Sequence, residues 1–520
     1  MPDKKYVWLL TNSYTRWLWR AFGDYLRDKT GLAPILVIYS EQERTFYTEQ
    51  FGETARCEFI KLESPYEFVL SGGTRSRSPG VVRRKAKALE DRFGITLLRD
   101  MMLPDQHFCR PYMILGSGHP RSRVSEKITL ELAYDACISQ FESVERFMAS
   151  YPPALVVSYY GGGGLQGKPI SLLCRERGVP FKALCPVRFG NLMYWADDEF
   201  EGSAELQKYL ARPALILPEA EIEEIRSSLR PSGLSTDPKL LATVRKMQKL
   251  PFALKKAGYV VLQRLYGRAR GYYLARVGYT IRSLLAQIFR APRHARVLDR
   301  IAARTVPPLD GVKLVYYPLQ QEPEVSTFQL SPDHFNQFAT ILELSLSLPA
   351  DARLCVKEHI WQAGRRPDGF YEALTKLHNV ILVHPEASSI DLIRRSSLVC
   401  VITSSVGHEA AALGKPVITF WNRSPIGVLP HVHVAPSFAD MGLVRRLLAD
   451  DDADARRRRE NDGAVFLKRI REFCMDLDPL KMHGRQHKPS EAELDIIGLP
   501  LLAELGHPIS GADKRRAASA

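Results

Sequence analysis

The chain has 520 residues, 45% hydrophobic and 25% charged, a globular composition with room for about two to four domains. It contains no uninterrupted run of about 18 apolar residues, so no membrane-spanning helix is expected. Its eight scattered cysteines form no C-x-x-C pair and point to neither a zinc site nor a disulfide framework, but to a reducing cytosol.

Residues 1–218 read as an alternating α/β domain. "YVWLL" (6–10) is too short an apolar run for a secretory signal and is expected to be a first buried strand. "RWLWRAFGDYLRDKTG" then has a helical pattern closed by Gly31, and "APILVIY" (33–39) is a second strand. "EKITLELAYDACISQFESVERFMASY" is helical in period and leads into the strand-like "ALVVSYY". A glycine-rich turn, the helix-like "ISLLCRERG" and another strand, "PFKALCPV", follow. This alternation predicts parallel βαβ units.

The turn reads G-x-x-x-x-G-K from Gly162 to Lys168, one residue short of a nucleoside-triphosphate loop. That loop needs Ser or Thr after the lysine to ligate magnesium. Pro169 stands there instead, with neither hydroxyl nor N–H. The glycines are therefore expected to join strand to helix, leaving a bare-backbone wall on the interdomain cleft.

Residues 219–306 change texture. Strand-like runs vanish, and from Lys239 to Arg304 there are 5 Lys and 11 Arg against one acid, Asp299. The formal net charge of +14 is thus concentrated in one segment, with the remainder nearly neutral. A basic amphipathic helical linker is predicted. It reads either as a solvated helical connector or as an anchor on an anionic membrane surface; nucleic acid is not expected as a partner.

Residues 307–480 form a second α/β domain with strand candidates "VKLVYYPL", "RLCVKEH", "VILVH", "LVCVIT" and "PVITFW". Residues 481–520 are expected to be a partly disordered tail. Ligands of open α/β sheets bind beyond the carboxyl ends of strands. In "YPLQQEPEVSTFQL", Gln320, Gln321, Glu322 and Glu324 should therefore line a crevice, as should Lys357, Glu358 and His359 in "VKEHI". In "CVITSSVGHEAAALGKPVITFW" a strand ends at Thr403, Ser404 and Ser405, and a helix carrying Gly407 and Glu409 begins. Hydroxyl side chains cap such a helix, and its first N–H groups can receive a phosphate.

These three stretches, in this order and spacing, resemble the capsule polysaccharide biosynthesis family of glycosyltransferases, which includes transferases of the acidic sugar Kdo. The likeness covers most of Val312 to Leu447 and extends more weakly into "PFKALCPVRFGNLMYWADDEFEGSAEL". It implies a GT-B-like fold: two Rossmann-like domains facing a cleft, with the sugar nucleotide held mainly by the second. In relatives that use CMP-linked acidic sugars, a Lys/Glu-x-His-Pro stretch and a serine pair contact the nucleotide. His359, Ser404 and Ser405 occupy those places here, and Ile360 replaces the proline.

The implied function is transfer of a sugar from a nucleotide donor, CMP-linked by preference, to a glycan or lipid-linked acceptor. The expected setting is cytoplasmic, at the inner face of the membrane, with no metal and no cofactor. Lys357 and His359 would stabilise the leaving phosphate, and Arg188 would bind an acidic sugar or phosphate. A base or nucleophile is also needed. Cys185 and Pro186 stand where acids are wanted, leaving Asp105 and Asp197 or Asp198 as candidates. A non-catalytic assembly or export factor, or a CDP-glycerol-type polyol phosphate transferase, would fit the same pattern.

Overall fold

The computed structural model describes residues 5–11, 16–51, 58–74, 77–113, 119–160, 164–229, 238–306, 310–362, 364–449, 452–477 and 489–507. Two sheets organise it. The first holds β1 (Tyr6–Leu10), β2 (Ala33–Ile38), β3 (Glu58–Lys61), β4 (Pro153–Tyr159), β5 (Phe181–Pro186) and β6 (Leu192–Ala196). The second holds β7 (Lys313–Pro318), β8 (Ala352–Lys357), β9 (Val380–Val383), β10 (Leu398–Val401), β11 (Val417–Thr419) and β12 (Val432–Val434).

In the first sheet the order is β3-β2-β1-β4-β5-β6, parallel except for β6; in the second it is β9-β8-β7-β10-β11-β12, parallel throughout. Both repeat the 3-2-1-4-5-6 winding of a Rossmann-like domain. The expected α/β, GT-B-like class with a helical insertion between two such domains is what the chain adopts. The reason lies in the strands. "ILVI" in β2, "LVCV" in β10 and "VIT" in β11 are buried at every residue, as parallel strands covered on both faces require. β3 and β12 carried no such signal: β3 has one fully buried residue, and β12 is three residues long.

The basic segment is helical, at Pro238–Met247, Leu250–Ala269, Tyr273–Val277 and Ile281–Ile301. The two long helices pack on each other through Ala253, Ala257 and Ile288, with Val260 and Leu285 alongside. Thr280 N donates to Arg121 O of the first domain (2.8 Å), and Arg245 is paired with Glu386 of the second (2.6 Å).

After the helix Ala453–Phe473 the chain returns to the first domain. There Met475–Asp476 (β13) adds antiparallel to β6, so this end of the expected 307–480 domain completes the other sheet. Of the expected tail, 481–488 and 508–520 lie outside the described residues. The helix Glu491–Glu504 is buried against the first sheet, with Ile497, Leu501 and Leu502 packed among Trp19, Phe22 and Tyr25. Trp195 Nε1 donates to Ile497 O (2.8 Å) and Tyr25 Oη to Asp495 (3.0 Å). No helix among the described residues is long and apolar enough to cross a membrane.

Candidate functional site

The winding of the second sheet reverses between β7 and β10, and the polar residues after β7, β8 and β10 gather at that crevice. Gln320 fills its floor. With the amide oriented by its partners, the oxygen accepts from Ser404 N (2.5 Å) and Thr403 N (3.0 Å), and the nitrogen donates to the hydroxyls of Thr403 (3.1 Å) and Thr327 (3.0 Å). Gln337 fixes the Gln320 backbone, accepting from its N–H (2.7 Å) and donating to its carbonyl (3.0 Å). A protein amide therefore occupies the N–H of the cap residue, where a phosphate was expected. Ser404 caps the helix Ser405–Ala412 by accepting from Val406 N (3.3 Å), and Ser405 begins it with a half-buried side chain.

On the β8 side, Lys357 donates to Ser389 Oγ (2.7 Å), and burial lowers its ammonium to about 8 against the pull of Glu409. Glu409 is itself buried at the base of the crevice. Glu358 is a clamp rather than a ligand group. It takes Arg366 on both oxygens (2.9 and 3.0 Å), Tyr371 Oη (3.0 Å) and its neighbour's N–H (2.6 Å). Glu322 joins the same arginine at 3.0 Å and accepts from Gln337 (2.6 Å). His359 sits above this base, half-buried, with Nδ1 accepting from Trp361 N (3.3 Å). Burial lowers its imidazole to about 4, so at neutral pH the ring is uncharged and carries its proton on Nε2. It can donate a hydrogen bond but supplies no full positive charge.

The facing wall comes from the first domain. Arg188, in left-handed backbone at φ 67°, pairs with Glu201 (3.0 Å) and lies over the Trp421 ring of the second domain at 5.1 Å. Burial opposes its charge, and Glu201, Tyr194 and Glu324 more than restore it. Glu324, open to the cleft yet walled by both domains, has its carboxyl raised by desolvation, with Arg188 and then Arg365 pulling the other way. Tyr160, at the end of β4, adjoins Glu201 and Arg188. The glycines Gly161–Gly163 lie outside the described residues. Lys168 of the same motif is buried within the helix Gly164–Glu176, paired with Glu199 at 2.6 Å and over the Phe200 ring at 4.3 Å. It faces no ligand.

The three aspartates proposed from sequence do not join this group. Asp105 accepts from Tyr66 Oη (2.6 Å), His107 N (2.8 Å) and Phe108 N (3.1 Å), holding its own loop. Asp198 accepts from Phe200 N (2.8 Å) and Gly202 N (3.1 Å) and is ion-paired with Arg423 across the domains. Asp197 bonds Lys182 (2.6 Å) and Ala204 N (2.8 Å). Gly407 serves packing: a Cβ there would lie 2.4 Å from Val401 Cγ2, so only glycine lets this helix approach β10. Sequence reasoning marked Thr403 with the serine pair but missed Arg365, Glu201 and Tyr160 as members of the site. Glu201, in "ADDEFEG", and Tyr160, at the end of "ALVVSYY", stood in stretches it had marked, whereas Arg365 did not. Among the described residues, no group of three or more His, Cys, Asp and Glu side chains is arranged to hold a metal ion.

The family model described as "Capsule polysaccharide biosynthesis protein" matches residues 259–423. No curated protein matches the chain. Solved structures matched include a UDP-GlcNAc 2-epimerase from Neisseria meningitidis bound to UDP-GlcNAc, 11% identical, covering 97% of this chain and 100% of that one at TM-score 0.27. A second is Thermosulfurimonas dismutans KpsC, a beta Kdo 2,4 transferase, 19% identical over 52% of this chain and 69% of its own at TM-score 0.24. A third is CalG4, the calicheamicin glycosyltransferase, 10% identical over 90% and 95% at TM-score 0.26. The matched segment begins in the basic helix and takes in the crevice at β7, β8 and β10, so the likeness of this chain is to the capsule polysaccharide biosynthesis family.

Proposed function

We propose that this protein is a glycosyltransferase of capsule polysaccharide biosynthesis, drawing its sugar from a nucleotide donor held on the second domain. The carrying observation is the crevice itself: the Gln320–Thr403–Ser404 floor of the second domain, faced by Arg188 of the first, which lies over the Trp421 ring of the second. Breaking a donor's glycosidic bond builds charge on the departing phosphate, and preorganised donors in a dry crevice stabilise it. The His359 Nε2–H and the Ser405 hydroxyl are the groups for that role. Arg188 and Arg365 would take an acidic sugar, which keeps a CMP-linked Kdo-like donor as the favoured one.

Glu324 takes the place that no aspartate filled. Desolvation raises the Glu324 carboxyl, which makes it the better base for the acceptor's proton, and its cleft position suits attack on the sugar as well. The test is thermal unfolding with CMP, CDP and UDP, since a ligand held at 100-fold its Kd stabilises the native state by about 2.7 kcal/mol. One nucleotide should raise the midpoint in the wild type and fail to do so in His359→Ala. Glu324→Gln should keep that response while losing about 10²–10⁴-fold in kcat. Absence of any nucleotide response defeats the transferase reading, and full activity in Glu324→Gln removes that residue from the reaction.

A further inference from the structure

Of the fifteen large hydrophobic side chains exposed among the described residues, eight lie between Leu250 and Phe289. They are not scattered. On the helix Leu250–Ala269 the exposed residues Pro251, Leu254, Gly258, Leu262, Leu265 and Ala269 recur every three or four positions, which draws one stripe along it. Leu254 is 58% exposed and Leu262 69%. Tyr259 and Tyr266 border the stripe, also exposed. Ala253, Ala257 and Gly267 are buried on the other side, where the helix meets its neighbours. The helix therefore has an apolar face toward its partner and a second one toward solvent.

The charges around that outer face select its occupant. Lys255 and Arg268, both exposed, flank the face on either side, the helix holds no acid, and the exposed Arg270 follows it. Arg282, Arg293 and Arg296 are exposed on the paired helix Ile281–Ile301. A second copy of the chain would have to set these cations against one another, whereas an anionic lipid surface satisfies them and takes up the leucines and tyrosines. We propose that the outer face of the helix Leu250–Ala269 lies on an anionic membrane, with Leu254, Leu262 and Leu265 inserted and the flanking Lys and Arg on the headgroups.

The placement adds a consequence for the cleft. Lys256, on the same helix, lies close enough to Arg365 to feel its charge, and Arg290 of the paired helix contacts Asp368 (3.4 Å). The docked hairpin would thus hold the cleft beside the bilayer, where a lipid-linked acceptor lies. The surface itself stands independently of the donor assignment.

Flotation of the full chain with vesicles tests this. With about 30% phosphatidylglycerol in phosphatidylcholine, partitioning should exceed that on phosphatidylcholine alone by about tenfold and fall as salt is raised. Leu262→Ser with Leu265→Ser should lower it about tenfold on anionic vesicles, as should Lys255→Gln with Arg268→Gln and Arg270→Gln. Both variants change exposed positions, so their unfolding midpoints and nucleotide responses should match the wild type. Unchanged flotation of either variant, or equal binding to neutral vesicles, overturns the proposal. So does a concentration-dependent dimer that the leucine variant dissociates, since the stripe would then belong to a second copy. Loss of nucleotide response with flotation intact would sink the transferase reading and leave this one standing.

Discussion

Among single residues, His408 carries a sharp electrostatic signature. It is 2% exposed, set edge-on to the Phe189 ring at 5.9 Å and tilted to Trp421 at 6.3 Å, which places it at the meeting of the two domains. Desolvation first, and then Arg188, lowers its imidazole to about 3. A histidine depressed from about 6.5 in the unfolded chain contributes stability that is complete above that value and lost as pH falls toward the folded one. His408→Phe should remove this dependence. Between pH 6 and 4 the wild type should lose about 1.4 kcal/mol per pH unit more than the variant, read from denaturant unfolding at each pH. Parallel curves would show that His408 does not titrate with folding. Lys357 runs by the same logic at the basic end: its lowered ammonium places its charge change near pH 8, so any donor contact it makes weakens above that value.

At the scale of elements, the close approach of the helix Ser405–Ala412 to β10 decides the shape of the crevice. Gly407→Ala would push a methyl into Val401, and overpacking of this kind costs about 1–3 kcal/mol. Val401→Ala in the same chain should recover part of the loss in denaturant titrations; no recovery would place the strain elsewhere. These elements were also the legible ones. Strand ends after "LVYYP", "LCVK" and "LVCV" announced themselves because an apolar run gives way to polar residues at a period the eye can follow. Their pairings were not legible, because they join distant positions. Gln320 meets Thr403, 83 residues on, and Asp198 meets Arg423, 225 residues on. Glu358 looked like a ligand group for the same reason, since nothing local reveals that Arg366 and Tyr371 close over it. Pro169 kept the G-x-x-x-x-G-K run from being read as a nucleoside-triphosphate loop. The structure adds why the lysine exists at all, as the buried partner of Glu199.

For the whole molecule, the contacts between the ends of the chain matter most. The helix Glu491–Glu504 covers one face of the first sheet, and Gly498 presses on the Tyr25 ring, where a Cβ would lie 2.2 Å away. Removing residues 489–520 would bare Ile497's, Leu501's and Leu502's partners and leave the Trp195 indole N–H without its acceptor. At roughly 1.5–3 kcal/mol for each buried aliphatic side chain, the truncated chain should be at least about 5 kcal/mol less stable. The loss should appear as an earlier unfolding transition of the first domain. A midpoint equal to that of the full chain would mean that this helix only decorates the surface. The return of β13 to β6 has a further meaning in time. A ribosome delivers β6 by residue 196 and β13 only from residue 475, roughly 280 residues later, or on the order of 15–55 s at cellular elongation rates. Through that interval the emerging first domain presents an unpaired strand edge and an uncovered apolar face to solvent. Its native state is reached after its neighbour has been made, so the domain synthesised first is the one that finishes last.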